Sequence, residues 1–436
     1  MGRNLFSGVR FLTAVSVLAI TMVVPASAKQ LSEVKPNRQG MSAERLRRVT
    51  DMAQRYVDEG RFAGMITLIA RRGEIVHFEA TGNKGVDDDR ALEKDDLFRI
   101  YSMTKPITAA AIMQLYEQGK WHLSDPVSKY IPELKGLEVL TEDGGREPVR
   151  SEMTMQQLLT HTTGLSYGFN PKGDPIDQLY VDAQLFGAQS HDDFVARVAK
   201  LPLKFHPGDQ WHYSIAVDIT GIVVERLSGM RFDKYLEENI FKPLGMTDTF
   251  FGVPEDKRDR FLPNHYINPE NGQLARIPDD QFSGLASYID PKVYSGGGGL
   301  VSSTMDYLRF AEAMRNGGEL NGVRILAPKT VQYMTQNHLD ASIVAGGNGE
   351  QPTLGGRLNG FGFGLGFGLV TDTSAGGVMG SVGEFNWGGA AGTVFWIDPV
   401  EELVVIGMVQ LMGSPHPFRS DLKVATYQAI DELAED

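Results

Sequence analysis

The chain of 436 residues contains no cysteine. It therefore has no disulfide framework, no thiol nucleophile, no cysteine-ligated zinc or iron–sulfur cluster and no lipid-modified N-terminal cysteine. Its nine histidines are scattered, without a His-Glu-x-x-His pattern or a tight ligand pair. The sequence thus predicts neither a metal site nor another bound cofactor.

Positive charge is also scarce. The chain has 42 Lys and Arg against 55 Asp and Glu, which gives a formal net charge of −13. No basic patch is present to neutralise a phosphate backbone, so a nucleic-acid partner is not expected. Hydrophobic residues make up 42% of the chain, which is enough to bury a large core.

The N-terminus carries an apolar run, residues 11–24, that is too short to span a bilayer comfortably. Arg3 and Arg10 precede it, and small residues ending at Ala28 follow it. A basic start, an apolar centre and a small-residue end are typical of a secretory signal peptide. We expect residues 1–28 to be cleaved off after Ala28, leaving a bacterial periplasmic or secreted protein with no stable membrane anchor.

Strand patterns lie near both ends of the mature chain. Residues 65–70 and 75–80 form one predicted hairpin with a glycine in its turn, and residues 393–397 and 403–409 form another. A last helix is predicted over residues 418–433. Since the middle of the chain has mostly helical patterns, we expect an α+β fold. An antiparallel sheet built from both termini would be flanked by helices and would hold a mostly helical insertion.

We expect the chain to consist of a signal peptide and two domains. Residues 1–28 are the signal peptide, and residues 29–97 with 292–436 form the sheet-containing α/β domain. Residues 98–291 form the mostly helical domain. The active site is expected at the interface between these two domains.

Three Ser-x-x-Lys sequences occur, and their surroundings distinguish them: Ser32/Lys35, Ser102/Lys105 and Ser420/Lys423. The first lies in the tail after the cleavage site, and the third lies near the start of the terminal helix. Only Ser102 follows an apolar strand pattern and opens an apolar helix. At a helix start, residue i+3 returns to the same face, so Lys105 would lie beside the Ser102 hydroxyl and could accept its proton.

Two further segments provide groups that such a serine needs. Tyr213 lies where a loop meets the apolar helix that starts near Ile215, so its phenol could share the proton with Lys105. Trp387, Gly388, Gly389 and Ala390 precede a C-terminal strand. Glycine-rich backbone at that place could approach a ligand closely and donate N–H groups to an oxyanion.

The order of these motifs resembles the serine β-lactamase and penicillin-binding-protein superfamily, in its class C-like branch with the family VIII carboxylesterases. Residues 161–165 (His-Thr-Thr-Gly-Leu) and 298–303 (Gly-Gly-Leu-Val-Ser-Ser) resemble further family segments. The resemblance implies a β-lactamase/transpeptidase-like fold, an α/β sandwich plus a helical domain. It also implies Ser102 as the acylated nucleophile, Lys105 and Tyr213 as the base/acid pair, and the N–H groups of Ser102 and Ala390 as the oxyanion hole.

Two departures from the class C motifs favour esters over β-lactams. Ile215 stands where a β-lactamase has an Asn that holds the acylamino group, and Trp387 stands where it has a lysine facing a carboxylate. We therefore expect a substrate wall formed by Ile215, Trp387, Gly388, Gly389 and Ala390. The predicted function is hydrolysis of short-chain carboxylic esters, which are small-molecule substrates, by a chain expected to be monomeric.

Other functions fit parts of the pattern. A β-lactamase or a D-Ala-D-Ala carboxypeptidase would use the same fold and the same serine. Residues 164–168 (Gly-Leu-Ser-Tyr-Gly) match the nucleophile elbow of α/β-hydrolases, which would make Ser166 the nucleophile. However, no strand pattern precedes this segment. A scaffold that binds a partner without turnover is the third alternative, and the joint presence of Ser102, Lys105 and Tyr213 disfavours it.

Overall fold

The computed structural model describes residues 1–2, 31–284, 286–340, 342–343 and 360–434. Apart from residues 1–2, the predicted signal peptide lies outside the described residues, as does its cleavage site. Within those described ranges, no helix is long and apolar enough to cross a membrane.

The strands are short except for the hairpin near the N-terminus. In chain order they are β1 Gly64–Arg71, β2 Glu74–Gly85, β3 Asp88–Ala91, β4 Leu97–Arg99, β5 Glu138–Leu140, β6 Arg146–Pro148, β7 His265–Ile267, β8 Leu274–Arg276, β9 Val301–Ser303, β10 Glu319–Leu320, β11 Val323–Arg324, β12 Phe361–Phe363, β13 Gly368–Val370, β14 Phe385–Gly388, β15 Val394–Asp398 and β16 Leu403–Met408.

Most of the α-helices lie between the two groups of sheet strands. In chain order they are α1 Ala43–Asp58, α2 Thr104–Glu117, α3 Met155–Leu159, α4 Pro175–Asp182, α5 His191–Val198, α6 Ala216–Ser228, α7 Phe232–Leu236, α8 Lys242–Leu244, α9 Thr304–Arg315, α10 Pro328–Met334, α11 Thr373–Gly376 and α12 Phe418–Tyr427. A π-helical turn, Glu237–Phe241, joins α7 to α8, and several 3₁₀ turns connect other elements.

One antiparallel sheet of eight strands joins the two ends of the chain, in the order β12-β13-β14-β15-β16-β1-β2-β3. Both predicted hairpins are present, and β1 pairs with β16 in the register Ile66 to Met408. The sequence prediction of an α+β fold with a sheet from both termini is confirmed. The pairing of β1 with β16 closes the sheet between segments more than 300 residues apart in sequence.

Successive side chains along each strand point to opposite faces of the sheet, and each face packs against different helices. On one face, Met65 and Val405 pack with the apolar stripe of α1 and with Phe418 and Leu422 of α12. On the other face, Ile66 and Ile406 belong to the large core that includes α2 and α9. The sheet is thus covered by helices on both sides, and β14, an interior strand, contacts the 3₁₀ turn Tyr101–Met103 that precedes α2.

Candidate active site

Ser102 lies in a tight turn between β4 and α2. The 3₁₀ turn Tyr101–Met103 precedes α2, which begins at Thr104 rather than at Ser102. Tyr101 has a φ of 43°, in the left-handed region that a bulky residue rarely adopts. The buried Tyr101 hydroxyl accepts a hydrogen bond from Asn264 at 2.7 Å, which holds this strained turn in place. Ser102 itself remains partly exposed.

Lys105 lies one turn further along, with its side chain almost completely buried. Its Nζ is 3.4 Å from Ser102 Oγ, as the Ser-x-x-Lys spacing predicts. Nζ also donates to the carbonyl oxygen of Gly297 at 2.7 Å and to the Tyr167 hydroxyl at 2.9 Å. These two acceptors hold Nζ in place beside the Ser102 hydroxyl.

Tyr167 and Asp218 extend this network, and sequence reasoning missed both residues. The Tyr167 hydroxyl donates to Asp218 Oδ2 at 2.9 Å, while the N–H of Gly297 and the hydroxyl of Ser295 donate to Oδ1. Burial, together with the Asp218 carboxylate, raises the pKa of Tyr167 well above its ordinary value, so Tyr167 stays protonated. Asp218, in the first turn of α6, therefore fixes both hydrogen-bond acceptors of the Lys105 amine.

Tyr213 lies against Lys105 in a different way from the sequence expectation. Lys105 Nζ faces the Tyr213 ring, 4.5 Å from its centroid, whereas the Tyr213 hydroxyl accepts from Trp387 Nε1 at 3.3 Å. Among the described residues, the phenol that hydrogen-bonds Lys105 belongs to Tyr167. The Tyr213 ring can stabilise an ammonium ion at Lys105 through its π face.

The His161 ring packs against the Tyr213 ring. Its ring is fully buried, and its centroid lies 4.7 Å from that of Tyr213. Its Nδ1 accepts the backbone N–H of Ser214 at 3.3 Å. Burial and the nearby Lys105 charge hold the pKa of His161 well below its ordinary value, so it is neutral where it contacts Tyr213 and Ser214.

Ala390 lies in the turn from β14 to β15, next to the chain that leads into Ser102. Gly389 allows this approach, because a Cβ there would be 2.2 Å from Thr393 Oγ1 and 2.6 Å from the Ile100 carbonyl oxygen. The Ala390 N–H has no acceptor within the described chain. Both Ser102 and Ala390 border the same open space, as an oxyanion hole made of their N–H groups requires.

Two cavities meet at Ser102. One, of about 500 Å³, is the Arg419 cavity, and its wall includes Trp387, Gly388, His416, Arg419 and Ser420. The other, of about 390 Å³, is the aromatic cavity, and its wall includes Tyr167, Phe186, Phe251, Phe282 and Tyr288. Ser102, Phe169, Tyr213 and Ala390 line both cavities. When the carbonyl group of an ester lies at Ser102, the acyl and alcohol portions can therefore occupy different cavities.

The predicted substrate wall is present only in part. Trp387 lines the Arg419 cavity, and its ring packs edge-on against Phe363. Gly388, Gly389 and Ala390 line the same cavity. Ile215 does not: it is fully buried in the large core and borders neither cavity among the described residues. The expectation that Ile215 faces substrate is corrected, because at the N-cap of α6 its side chain packs inward with the helix.

Ser166 lies in a buried cluster that resembles a catalytic triad only in composition. Its hydroxyl donates to Asp177 Oδ1 at 2.5 Å and is 3.3 Å from His212 Nε2. Ser166 is fully buried, and burial with the nearby Lys204 lowers the pKa of His212 to about 4. The Ser166 hydroxyl donates its proton to the Asp177 carboxylate, so in this geometry the imidazole does not act as its base, and the cluster does not prepare a nucleophile.

In the third Ser-x-x-Lys pair, the serine and the lysine contact different surroundings. Ser420, in the first turn of α12, borders the Arg419 cavity. Lys423 donates to the buried Glu384 carboxylate, at 2.6 Å for Oε2. No group of three His, Asp or Glu side chains in the described part of the chain could hold a metal ion.

Comparison with known proteins places these features in a family. The family described as Beta-lactamase matches residues 49–429, which is most of the chain. Esterase EstB of Burkholderia gladioli is 32% identical over 405 residues, which cover 88% of this chain and 95% of that protein. The chain belongs to the Beta-lactamase family. The resemblance inferred from the sequence motifs is confirmed.

Other members of the family are similar over comparable lengths. A putative D-alanyl-D-alanine carboxypeptidase of Escherichia coli (strain K12) is 28% identical and covers 93% of this chain and 91% of its own length. Among solved structures, EstCE1, a hydrolase with promiscuous acyltransferase activity, has a TM-score of 0.74 and 26% identity. The match covers 88% of this chain and 99% of EstCE1. The family thus includes esterases on this fold.

Proposed function

We propose that this protein hydrolyses short-chain carboxylic esters through an acyl-enzyme formed on Ser102. The protein is a serine hydrolase of the Beta-lactamase family. The observation that carries the proposal is the contact of Ser102 with the buried Lys105, whose other hydrogen-bond acceptors are fixed by Asp218. A serine hydroxyl with such a neighbour can lose its proton as it attacks.

Each step of the proposed reaction uses a group of this chain. Lys105 takes the Ser102 proton as Oγ attacks the ester carbonyl carbon, and the N–H groups of Ser102 and Ala390 stabilise the oxyanion. Lys105 then returns the proton to the departing alkoxide, which leaves as the alcohol. A water molecule attacks the acyl-enzyme with the same base, releasing the acid and restoring Ser102.

The tyrosines have supporting roles in this proposal. Tyr167 holds the Lys105 amine from one side and Asp218 keeps the Tyr167 hydroxyl in place. Tyr213 covers the amine with its ring and borders both cavities, so its phenol is available to a bound substrate. The resemblance of the sequence motifs to the family implies, in addition, that Tyr213 is the partner of Lys105 in proton transfer, through a phenol that would have to turn from Trp387 towards the substrate.

The test compares two serine variants against short acyl esters of 4-nitrophenol. Ser102→Ala is expected to abolish hydrolysis because no acyl-enzyme can form, while Ser166→Ala, the matched control, retains most of the wild-type activity. Thermal melting of both variants accompanies the kinetics. Comparable losses of activity in the two folded variants would contradict the assignment.

A second candidate function is peptide hydrolysis of the D-Ala-D-Ala carboxypeptidase type. It is favoured by the Escherichia coli relative, which carries that description and covers most of this chain. Incubation with a D-Ala-D-Ala peptide, a cephalosporin and short esters, followed by intact mass measurement, separates the candidates. The substrate that leaves an acyl adduct identifies the class, and the ester hypothesis predicts that only the esters do so efficiently.

A further inference from the structure

The Arg419 cavity has an unusual charge for this acidic chain. Arg419 is the only formally charged side chain among the described residues that border it, and no Asp or Glu is among them. His416 adds no charge near neutral pH, because burial lowers its pKa below the ordinary value. The chain as a whole carries 55 acidic against 42 basic residues, yet the wall beside Ser102 is cationic.

Arg419 has no acidic partner in the described chain. Its Nη2 donates to the carbonyl oxygens of Gly389 at 2.7 Å and Thr393 at 3.0 Å, and the guanidinium makes no further hydrogen bond to the described residues. Burial lowers its pKa to about 10, which still leaves the guanidinium charged at neutral pH. Arg419 is partly buried, so its guanidinium has lost part of its hydration, which an anion of a ligand can replace.

The surroundings are shaped to hold this cation at the wall. Gly388 makes room for it, because a Cβ at that position would lie 2.6 Å from Arg419 Nη2. Arg419 is the second residue of the ten-residue helix α12, whose N-terminus also favours negative charge. Guanidinium groups form strong charge-assisted hydrogen bonds with carboxylates. The cation, the helix end and the absence of acid therefore point to the same kind of ligand.

We propose that the Arg419 cavity binds a free carboxylate of the substrate, so that the preferred esters carry a carboxylate on the portion that enters this cavity. This inference rests on the proposed esterase function and adds a substrate class to it. It also changes a conclusion drawn from the sequence. Trp387 replaces the lysine of the β-lactamase motif, but α12 supplies a cation to the same cavity.

The aromatic cavity complements this arrangement on the other side of Ser102. Phe186 and Phe282 line it and are respectively 41% and 73% exposed, forming an apolar rim. An apolar portion of the ester would enter there while the carboxylate lies at Arg419. Either the acyl or the alcohol portion of an ester can carry this carboxylate, so the experiment includes both.

The test uses two matched pairs of esters. For the acyl side, the 4-nitrophenyl monoester of glutaric acid is compared with its methyl ester. For the alcohol side, 4-acetoxybenzoate is compared with its methyl ester. The wild-type enzyme is expected to show a KM at least tenfold lower for the carboxylate member of one pair, and this preference should weaken as salt is added.

Three variants locate the preference. Arg419→Gln is expected to lower kcat/KM for the preferred carboxylate ester at least tenfold more than for its methyl ester. Arg419→Lys should keep part of the preference, because it keeps the charge. Arg55→Gln, an exposed arginine of α1 outside both cavities, is the matched control and should leave both rates unchanged.

The outcomes separate this inference from the function on which it rests. Hydrolysis of the neutral esters without any carboxylate preference overturns the inference but leaves the esterase assignment intact. An equal loss on both members of a pair in a folded Arg419→Gln variant also overturns it, since Arg419 would then only hold the strand carbonyls. Absence of hydrolysis of every ester by the wild-type enzyme contradicts the esterase function itself.

Discussion

At the scale of single residues, the Lys105 amine is the centre of the site. Its three neighbours are the Ser102 hydroxyl, the Gly297 carbonyl and the Tyr167 hydroxyl, all within 3.4 Å. The two acceptors come from parts of the chain far from Lys105 in sequence, and Asp218 ties them together. The position of the proton acceptor is therefore set by four segments of the fold rather than by the Ser-x-x-Lys turn alone.

A first prediction concerns the groups around this amine. Lys105→Ala and Tyr213→Phe are each expected to lower kcat by about 10²-fold or more, as when a positioned proton-transfer group is removed. Tyr167→Phe should have a smaller effect, about tenfold, because the Gly297 carbonyl still orients the amine. Steady-state kinetics on one short ester, with melting curves for each variant, measure these effects. A kinetically silent Tyr213→Phe would remove Tyr213 from the assignment.

A second prediction follows from the buried His212. Its folded-state pKa of about 4 lies below the ordinary 6.5, so below pH 6.5 the unfolded chain binds a proton that the folded chain does not. Its contribution to the free energy of unfolding is complete above pH 6.5 and is lost as the pH falls towards 4. The loss reaches about 2 kcal/mol at pH 5. Urea unfolding at pH 7.5 and 5.0 should show a smaller loss for His212→Gln than for the wild type. Equal losses would contradict the pKa assignment.

Residue-scale reasoning from the sequence succeeded where chemistry is local. Ser102 and Lys105 are three residues apart, so a single turn determines their distance, and the structure has them 3.4 Å apart. Tyr167 could not be assigned to Lys105 in this way, because its contact depends on a loop returning to the site from 62 residues away. Ile215 was misplaced because its position in a motif does not specify the direction of its side chain.

At the scale of elements, the turn between β14 and β15 couples the sheet to the nucleophile. Gly389 lies between Thr393 on its own hairpin and the Ile100 carbonyl ahead of Ser102. The turn therefore cannot shift without moving the Ala390 N–H relative to Ser102. The β14–β15 turn, at the end of two interior strands, is therefore a fixed support for the proposed oxyanion hole.

A third prediction tests this coupling. Gly389→Ala places a Cβ within 2.6 Å of the Ile100 carbonyl oxygen, so the turn must move away from Ser102. Loss of one oxyanion donor lowers kcat by about 10²-fold or more. Hydrolysis of a short ester measures the effect, and Gly272→Ala, in the turn between β7 and β8 where an added Cβ would meet no atom within 4 Å, controls for the substitution itself. Retained activity in a folded Gly389→Ala variant would exclude the turn from the oxyanion hole.

Elements whose patterns repeat along the chain were predictable from the sequence. Strand patterns separated by short turn segments predicted both hairpins. The last helix was expected over residues 418–433 but ends at Tyr427. The pattern could not indicate that the helix N-terminus, with Arg419, borders the site.

At the scale of the whole molecule, the fold assembles the site from distant parts of the chain. The pairing of β1 with β16 fixes the C-terminal strands against the N-terminal hairpin, and the next strand along, β15, leads back to the Ala390 turn. The nucleophile arrives separately at the start of α2, and the network around Asp218 arrives with α6. Strand registers and helix contacts between segments so far apart in sequence cannot be inferred from local periodicity. The sequence therefore predicted a sheet flanked by helices but not that Arg419 lines a cavity at Ser102.

The claim that all of this supports is that Ser102 is the nucleophile, and covalent labelling tests it most directly. The enzyme is treated with a fluorophosphonate, digested and mapped by mass spectrometry, alongside Ser102→Ala and Ser166→Ala. The account predicts one adduct on the peptide containing Ser102, absent in Ser102→Ala and unchanged in Ser166→Ala. An adduct on Ser166 or Ser420, or ester hydrolysis that persists in the Ser102→Ala variant, would contradict it.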